Sequence, residues 1–121
     1  MIIEEKIISH LTNAAIDGIG DNVYCGVPEY PPDAYILIER TAGSETDYRR
    51  TCMIAVQSIS ASSLLEAAQI NEDVLDAMDT LAQETANIYS CRLNSNYNFT
   101  NTATKEYRYQ AVFDINYQKE V

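Results

Sequence analysis

Lys105–Tyr117 reads KEYRYQAVFDINY, and its alternation runs through more positions than any other pattern in the chain. Tyr107, Tyr109, Ala111, Phe113, Ile115 and Tyr117 fall on one side, with Glu106, Arg108, Gln110, Asp114 and Asn116 on the other. Only a β-strand sends successive side chains to opposite faces, so this period of two predicts a sheet with one packed face and one largely wet face. Val112 is the single apolar intruder on the wet side. Nothing in the stretch is chemically reactive, and the same holds along the rest of the chain. Architecture and charge therefore carry the functional reading.

The length of this strand is itself informative. Thirteen extended residues span about 43 Å, whereas a globule of 121 residues is roughly 35 Å across. The strand is expected either to bend through a bulge or to overhang the body, and an overhanging hairpin needs a neighbour to pack on. Self-association follows as an expectation.

Working backwards, Ile88–Leu93 (IYSCRL) reads as a strand with Tyr89, Cys91 and Leu93 on one face. Asn94–Thr104 (NSNYNFTNTAT) carries no charge, and Tyr97 and Phe99 alternate with Asn96, Asn98 and Thr100. It extends that strand or forms a long hairpin tip over residues 94–104. Ahead of it, Ser63, Leu64, Leu65 and Glu66 have the Ser-x-x-Glu form of a capping box. Leu64, Ala68, Asn71, Leu75, Met78 and Ala82 then recur at three- and four-residue steps, flanked by Ala67, Val74 and Leu81. These predict a helix from about Leu64 to Glu84, about 30 Å long.

The charged residues of that helix are all acids: Glu66, Glu72, Asp73, Asp76, Asp79 and Glu84, with no Lys or Arg. Acids in the late turns oppose the helix dipole, and like pairs such as Glu72 with Asp76 cost a few tenths of a kcal/mol each. Helix stability alone would not select such a face. It is either a solvated face kept soluble by charge, or an acidic surface that meets a basic partner or lines a passage for DNA.

Tyr35–Thr41 (YILIERT) and Arg50–Ser60 (RTCMIAVQSIS) are apolar, β-branched runs that pair most simply as an antiparallel hairpin. Residues 42–49 (AGSETDYR) would be its polar tip, with Gly43, Ser44 and Asp47 as turn formers. At the start, Ile3, Ile7, Ile8, Leu11, Ala14 and Ala15 predict an amphipathic helix from Ile2 to about Ile16, stopped by Asp17, Gly18 and Gly20. A short strand in VYCGV and a rigid connector with Pro28, Pro31 and Pro32 complete the layout. Residues 1–121 thus read as one α+β domain: a mostly antiparallel sheet of four to five strands with two helices packed on it.

A formal charge of -10, from 18 acids against 8 bases, repels phosphate and disfavours nonspecific nucleic-acid binding. Cys25, Cys52 and Cys91 are odd in number and widely spaced, which predicts reduced, semi-buried thiols and neither a disulfide framework nor a zinc site. MIIEEKIISHL lacks the basic region and cleavage site of an export signal, and no apolar run approaches the ~20 residues of a membrane span.

His10 is the only histidine and is expected to be a partly exposed helical residue rather than a general base. Ser44 and Ser60 lack a nucleophile elbow, and the glycines of DGIGDN end a helix instead of opening one. Asp73, Asp76 and Asp79 lie on a helix and not in a calcium loop. No catalytic, metal or cofactor-binding set is expected.

The order of elements, the length and the closing Arg-Tyr-x-Ala-x-Phe-x-Ile-x-Tyr strand at 108–117 resemble the small tail terminator or tail completion proteins of long-tailed bacteriophages. The resemblance covers essentially the whole chain and is one of layout, without a diagnostic motif. It implies an α+β subunit with no enzymatic residue, assembled as a six-membered ring at the head-proximal end of the tail tube in the virion, after synthesis in a bacterial cytoplasm. It also implies the major tail tube protein and a head-completion or connector protein as partners. Glu45, Asp47, Tyr48, Asn96, Tyr97, Asn98, Phe99, Tyr107 and Tyr109 become interface candidates. Glu72, Asp73, Asp76 and Asp79 become candidates for a lumen through which DNA slides without sticking. The alternatives are a head-completion or stopper protein and a ferredoxin-like ligand-binding module; the latter's βαββαβ order does not fit a chain that opens with a helix.

Overall fold

In the computed structural model, which describes residues 2–45, 49–100 and 106–118, the chain runs α1 (Ile3–Asn13), β1 (Val23–Tyr24), β2 (Ala34–Glu45), β3 (Arg49–Ser60), α2 (Leu64–Asp79), α3 (Leu81–Glu84), β4 (Ile88–Asn98) and β5 (Tyr107–Gln118). The five strands form one sheet in the order β1-β2-β3-β5-β4, parallel between β1 and β2 and antiparallel elsewhere. The fold is α+β, with two substantial helices and the four-residue α3 packed on a mostly antiparallel sheet.

The alternation of β5 decides which face is packed. Ala111, Phe113, Ile115 and Tyr117 enter the core beside Ile54 and Val56 of β3 and Ile36 and Ile38 of β2, under Ile7 and Leu11 of α1 and Ile70, Val74 and Met78 of α2. Tyr107 and Tyr109, at the open end of the strand, are only half-buried. β3 is the centre of the sheet: it pairs without a register break from Arg49 opposite Gln118 to Ser60 opposite Tyr107. Every residue from Ile54 to Ser60 is buried, as its weak alternation implied.

The other face is drier than the alternation suggested. Ala55, Gln57, Ile59 and Val112 are all buried there. Long polar side chains lie along it: the Arg108 guanidinium donates to Gln57 Oε1 at 2.7 Å, and Gln57 Nε2 donates to Gln110 Oε1 at 2.9 Å. Gln110 reaches the Tyr97 hydroxyl, and Arg108 pairs with Glu106. The stems of such side chains cover small apolar neighbours while the Arg108 Nη atoms and the two glutamine amides hydrogen-bond, which shields Val112.

Several boundaries differ from expectation, each for a local reason. β5 takes no bulge against β3; the register shifts lie in its neighbours, at Ile88/Ser90 and Leu93/Ser95 of β4 and between Arg40 and Ala42 of β2. Residues 42–45, expected in a loop, continue β2, with Gly43 opposite Cys52 and Glu45 opposite Arg50. Pairing with β3 holds these turn formers in the strand, and a glycine suits the close approach there, since a Cβ at Gly43 would sit 3.3 Å from the Thr51 carbonyl oxygen. β4 likewise runs on to Asn98, which takes half of the expected 94–104 tip into the sheet.

α1 stops at Asn13, short of Ile16, because Ala15 turns left-handed (φ 53°) and Gly18 and Gly20 follow at positive φ. Ile16 and Ile19 then fold back into the core. α2 is rotated from the expected stripe: Ala67, Ile70, Asn71, Val74 and Met78 are buried, whereas Leu64 is exposed and Ala68 and Leu75 are half-buried. Only half of the capping box forms. Ser63 Oγ accepts from the Glu66 N–H at 3.2 Å, but the Glu66 carboxylate accepts from Ser60 Oγ at 2.7 Å, and Ser60 Oγ in turn accepts from the Ser63 N–H at 3.2 Å.

The expected helix to Glu84 breaks at Thr80. The Ala77 carbonyl there receives the Thr80 hydroxyl at 3.0 Å, the Thr80 N–H at 3.2 Å and His10 Nε2 at 2.7 Å. With the carbonyl satisfied from outside the helical pattern, the chain is free to turn, and Leu81 drops into the core.

Candidate assembly surfaces

α2 turns its acids outward. Glu66, Glu72, Asp76 and Asp79 are exposed, and Asp73 is half-buried, accepting from Gln69 Nε2 at 3.3 Å. Asp73 and Asp76 line a cleft with Ala14, Ala15, Ile16, Asp17 and Ala77, where α2 meets the turn after α1. No basic residue stands in the last turn of α2. The four lumen candidates thus share one helix, three of them fully on the surface.

The hairpin candidates divide between two faces. Glu45 ends β2 opposite Arg50, whose Nε lies 3.5 Å from its carboxylate. Asp47 and Tyr48 lie outside the described residues. Asn96 faces the helices, accepting from the buried Asn71 Nδ2 at 2.8 Å, and Asn98 lies opposite Tyr109. Tyr97 and Phe99 point the other way and stack edge to face with centroids 5.9 Å apart, 41% and 48% exposed. The bulge at Leu93/Ser95 sets this partition by shifting the register of everything after it.

β4 is the outermost strand on its side of the sheet. Tyr89 and Leu93 are half exposed on it, and Arg92 is exposed as well. The Arg49 guanidinium lies over the Tyr89 ring at 5.0 Å. Tyr89, Arg92 and Leu93 were not singled out from the sequence as surface residues. The available signal was composition: residues 88–98 hold no acid in a chain that has 18.

His10, expected partly exposed, is buried: its Nε2 donates to Ala77, and its Nδ1 lies 3.6 Å from Glu84. It ties α1 to the break between α2 and α3. Cys25 is exposed, Cys91 half-buried and Cys52 buried, all as free thiols. Burial pushes the Cys52 thiol up to about 11 and the Cys91 thiol up to about 12, which makes both poor nucleophiles. Among the described residues no cluster of His, Cys, Asp and Glu could hold a metal ion. No helix among them is long and apolar enough to cross a membrane.

No family model and no curated protein matches the chain. Its fold is similar to that of a chain in a solved structure described as the virion of native gene transfer agent (GTA) particle, with a TM-score of 0.69 over 97% of this chain and 95% of that one. At 12% sequence identity the likeness is one of fold, and it extends over nearly the full length of both chains.

Proposed function

We propose that this chain is a structural subunit of a phage-like virion: a tail terminator or tail completion protein that forms a six-membered ring at the head-proximal end of the tail tube. The observation that carries the reading is the near full-length fold likeness to a chain of the GTA particle. The resemblance in element order and in the closing strand supports it as well. The ring stops tube growth and offers a surface to the head connector. It does so by shape and charge, without covalent chemistry and without a cofactor.

In this reading Glu72, Asp73, Asp76 and Asp79 line the lumen, where like charge keeps DNA moving. Glu45, Asp47, Tyr48 and the Asn96–Phe99 segment contact the tube or a neighbouring copy, with Tyr107 and Tyr109 behind them. The test is to mix the purified protein with the matching tail tube protein and image the tubes. Capped tubes of limited length are expected. Tubes of unaltered length with bare ends would overturn the reading, and binding to a head connector without capping would move the protein to a head-completion role.

A further inference from the structure

We infer that β4 of one copy pairs antiparallel with the outer half of β2 of the next, so that the sheet runs on from subunit to subunit. The setting for this junction is the ring reading above; the strands that make it are read from the sheet.

The sheet has two open edges. β4 closes one side. On the other, β1 covers β2 only at Ile36 and Leu37, which leaves Ile38–Glu45 without a strand partner on that side among the described residues. An open edge presents a row of unpaired N–H and C=O groups, and proteins usually guard it with Lys, Pro or inward-pointing charge. β4 has no Lys, Pro or acid; its guards are two bulges, and between them Ser90–Leu93 runs regularly against β5.

Direction and height both match. β2 is antiparallel to β3, β3 to β5 and β5 to β4, so β4 runs opposite to β2. Two copies set side by side with their helices on the same face therefore bring β4 and β2 together antiparallel. Followed across the registers, Ser90 lies level with Asn116, Thr51 and Ser44, and Leu93 with Phe113, Ile54 and Arg40. The regular part of β4 thus faces the uncovered part of β2 and clears β1.

Charge selects this pairing over a two-fold one. Each copy carries -10, but at physiological salt the Debye length is about 8 Å, so the charges near the seam decide. β4 brings only Arg92, and the β2 edge brings Glu39, while Arg40 is held by Glu4 and Glu45 by Arg50. A β4-to-β4 contact would bring two copies of Arg92 together with no acid beyond the Asp114 that already lies opposite each on β5, and would leave the β2 edge open.

Hydrogen exchange read by mass spectrometry, on the free chain and on the chain assembled at tube ends or at high concentration, tests the junction. Amides of both β4 and Ile38–Glu45 should slow by about tenfold or more on assembly. The double variant Arg92→Glu, Leu93→Glu changes two exposed side chains, so it should keep the native circular dichroism while assembling about tenfold more weakly. Assembly with both edges exchanging as in the free chain overturns the junction. So does protection of β4 alone, unchanged assembly of the variant, or a chain that stays monomeric throughout. Capped tubes with unprotected edges would remove the junction and keep the terminator reading; protected edges without capping would do the reverse.

Discussion

Replacing the two last acids of α2, Asp76→Lys with Asp79→Lys, should raise stability and impair assembly at the same time. Both residues are exposed, in or next to the final turn of a helix that has no basic residue there. Exchanging an unfavourable for a favourable charge at an exposed C-terminus contributes about 0.5 kcal/mol per site at low salt. Position 76 lies four residues after Glu72 and three after Asp73, so a like-charge pair becomes an attractive one in the better order, adding about 0.5 kcal/mol. The total is about 1.5 kcal/mol, which for a domain of this size raises Tm by about 6 °C. In 1 M salt, where the Debye length is about 3 Å, most of the gain should vanish. Thermal unfolding by circular dichroism at low and high salt checks the first half, and tail assembly or infectivity the second. A Tm that falls or does not move at low salt would refute the electrostatic account of the helix. Wild-type infectivity of the variant would refute the lumen role and leave a face that only keeps the protein soluble.

Two further predictions concern buried groups. Cys52 and Cys91 keep their protons in the folded chain to about 11 and about 12, against 9.0 for a free thiol. The native state therefore binds more protons than the unfolded one above pH 9, and stability should fall as pH rises through that window, by up to about 1.4 kcal/mol per unit for each thiol. Urea midpoints from pH 8 to 11 should flatten in the Cys52→Ala, Cys91→Ala variant, and a thiol reagent at pH 8 should label the exposed Cys25 first. His10→Leu removes one donor from the Ala77 carbonyl and should cost about 1 kcal/mol in urea unfolding with an unchanged slope. Combined with Thr80→Val, which removes the hydroxyl donor to that carbonyl, the loss should exceed the sum of the singles by more than about 0.5 kcal/mol.

Much of the fold was legible because the strong signals were local. Alternation along 107–117 marks a strand whatever its neighbours, and the apolar steps of 64–79 mark a helix. The errors fall where a distant residue intervened. No local pattern at Thr80 announces that His10, seventy positions away, will share the Ala77 carbonyl and help end the helix. Gly43 and Ser44 carry turn chemistry, yet pairing with Cys52 and Thr51 holds them in β2. The wet face seemed wet because Arg108 and Gln110 are polar, and their hydrogen bonds to Gln57 lie across the sheet. Of the candidate surfaces, the acids of α2 were legible as a stripe, whereas Arg92 and Leu93 became visible only once β4 was the last strand of the sheet.

The sequence by itself determined the α+β composition of elements, the packed face of β5 and the one-sided acidity of α2, since each is a periodicity that a single segment carries. The tertiary structure alone decided the order β1-β2-β3-β5-β4, and with it which edges stay open and which acids reach the surface. Strand order depends on which pairings bury the most side chains together, a property of the whole chain that no window of residues contains.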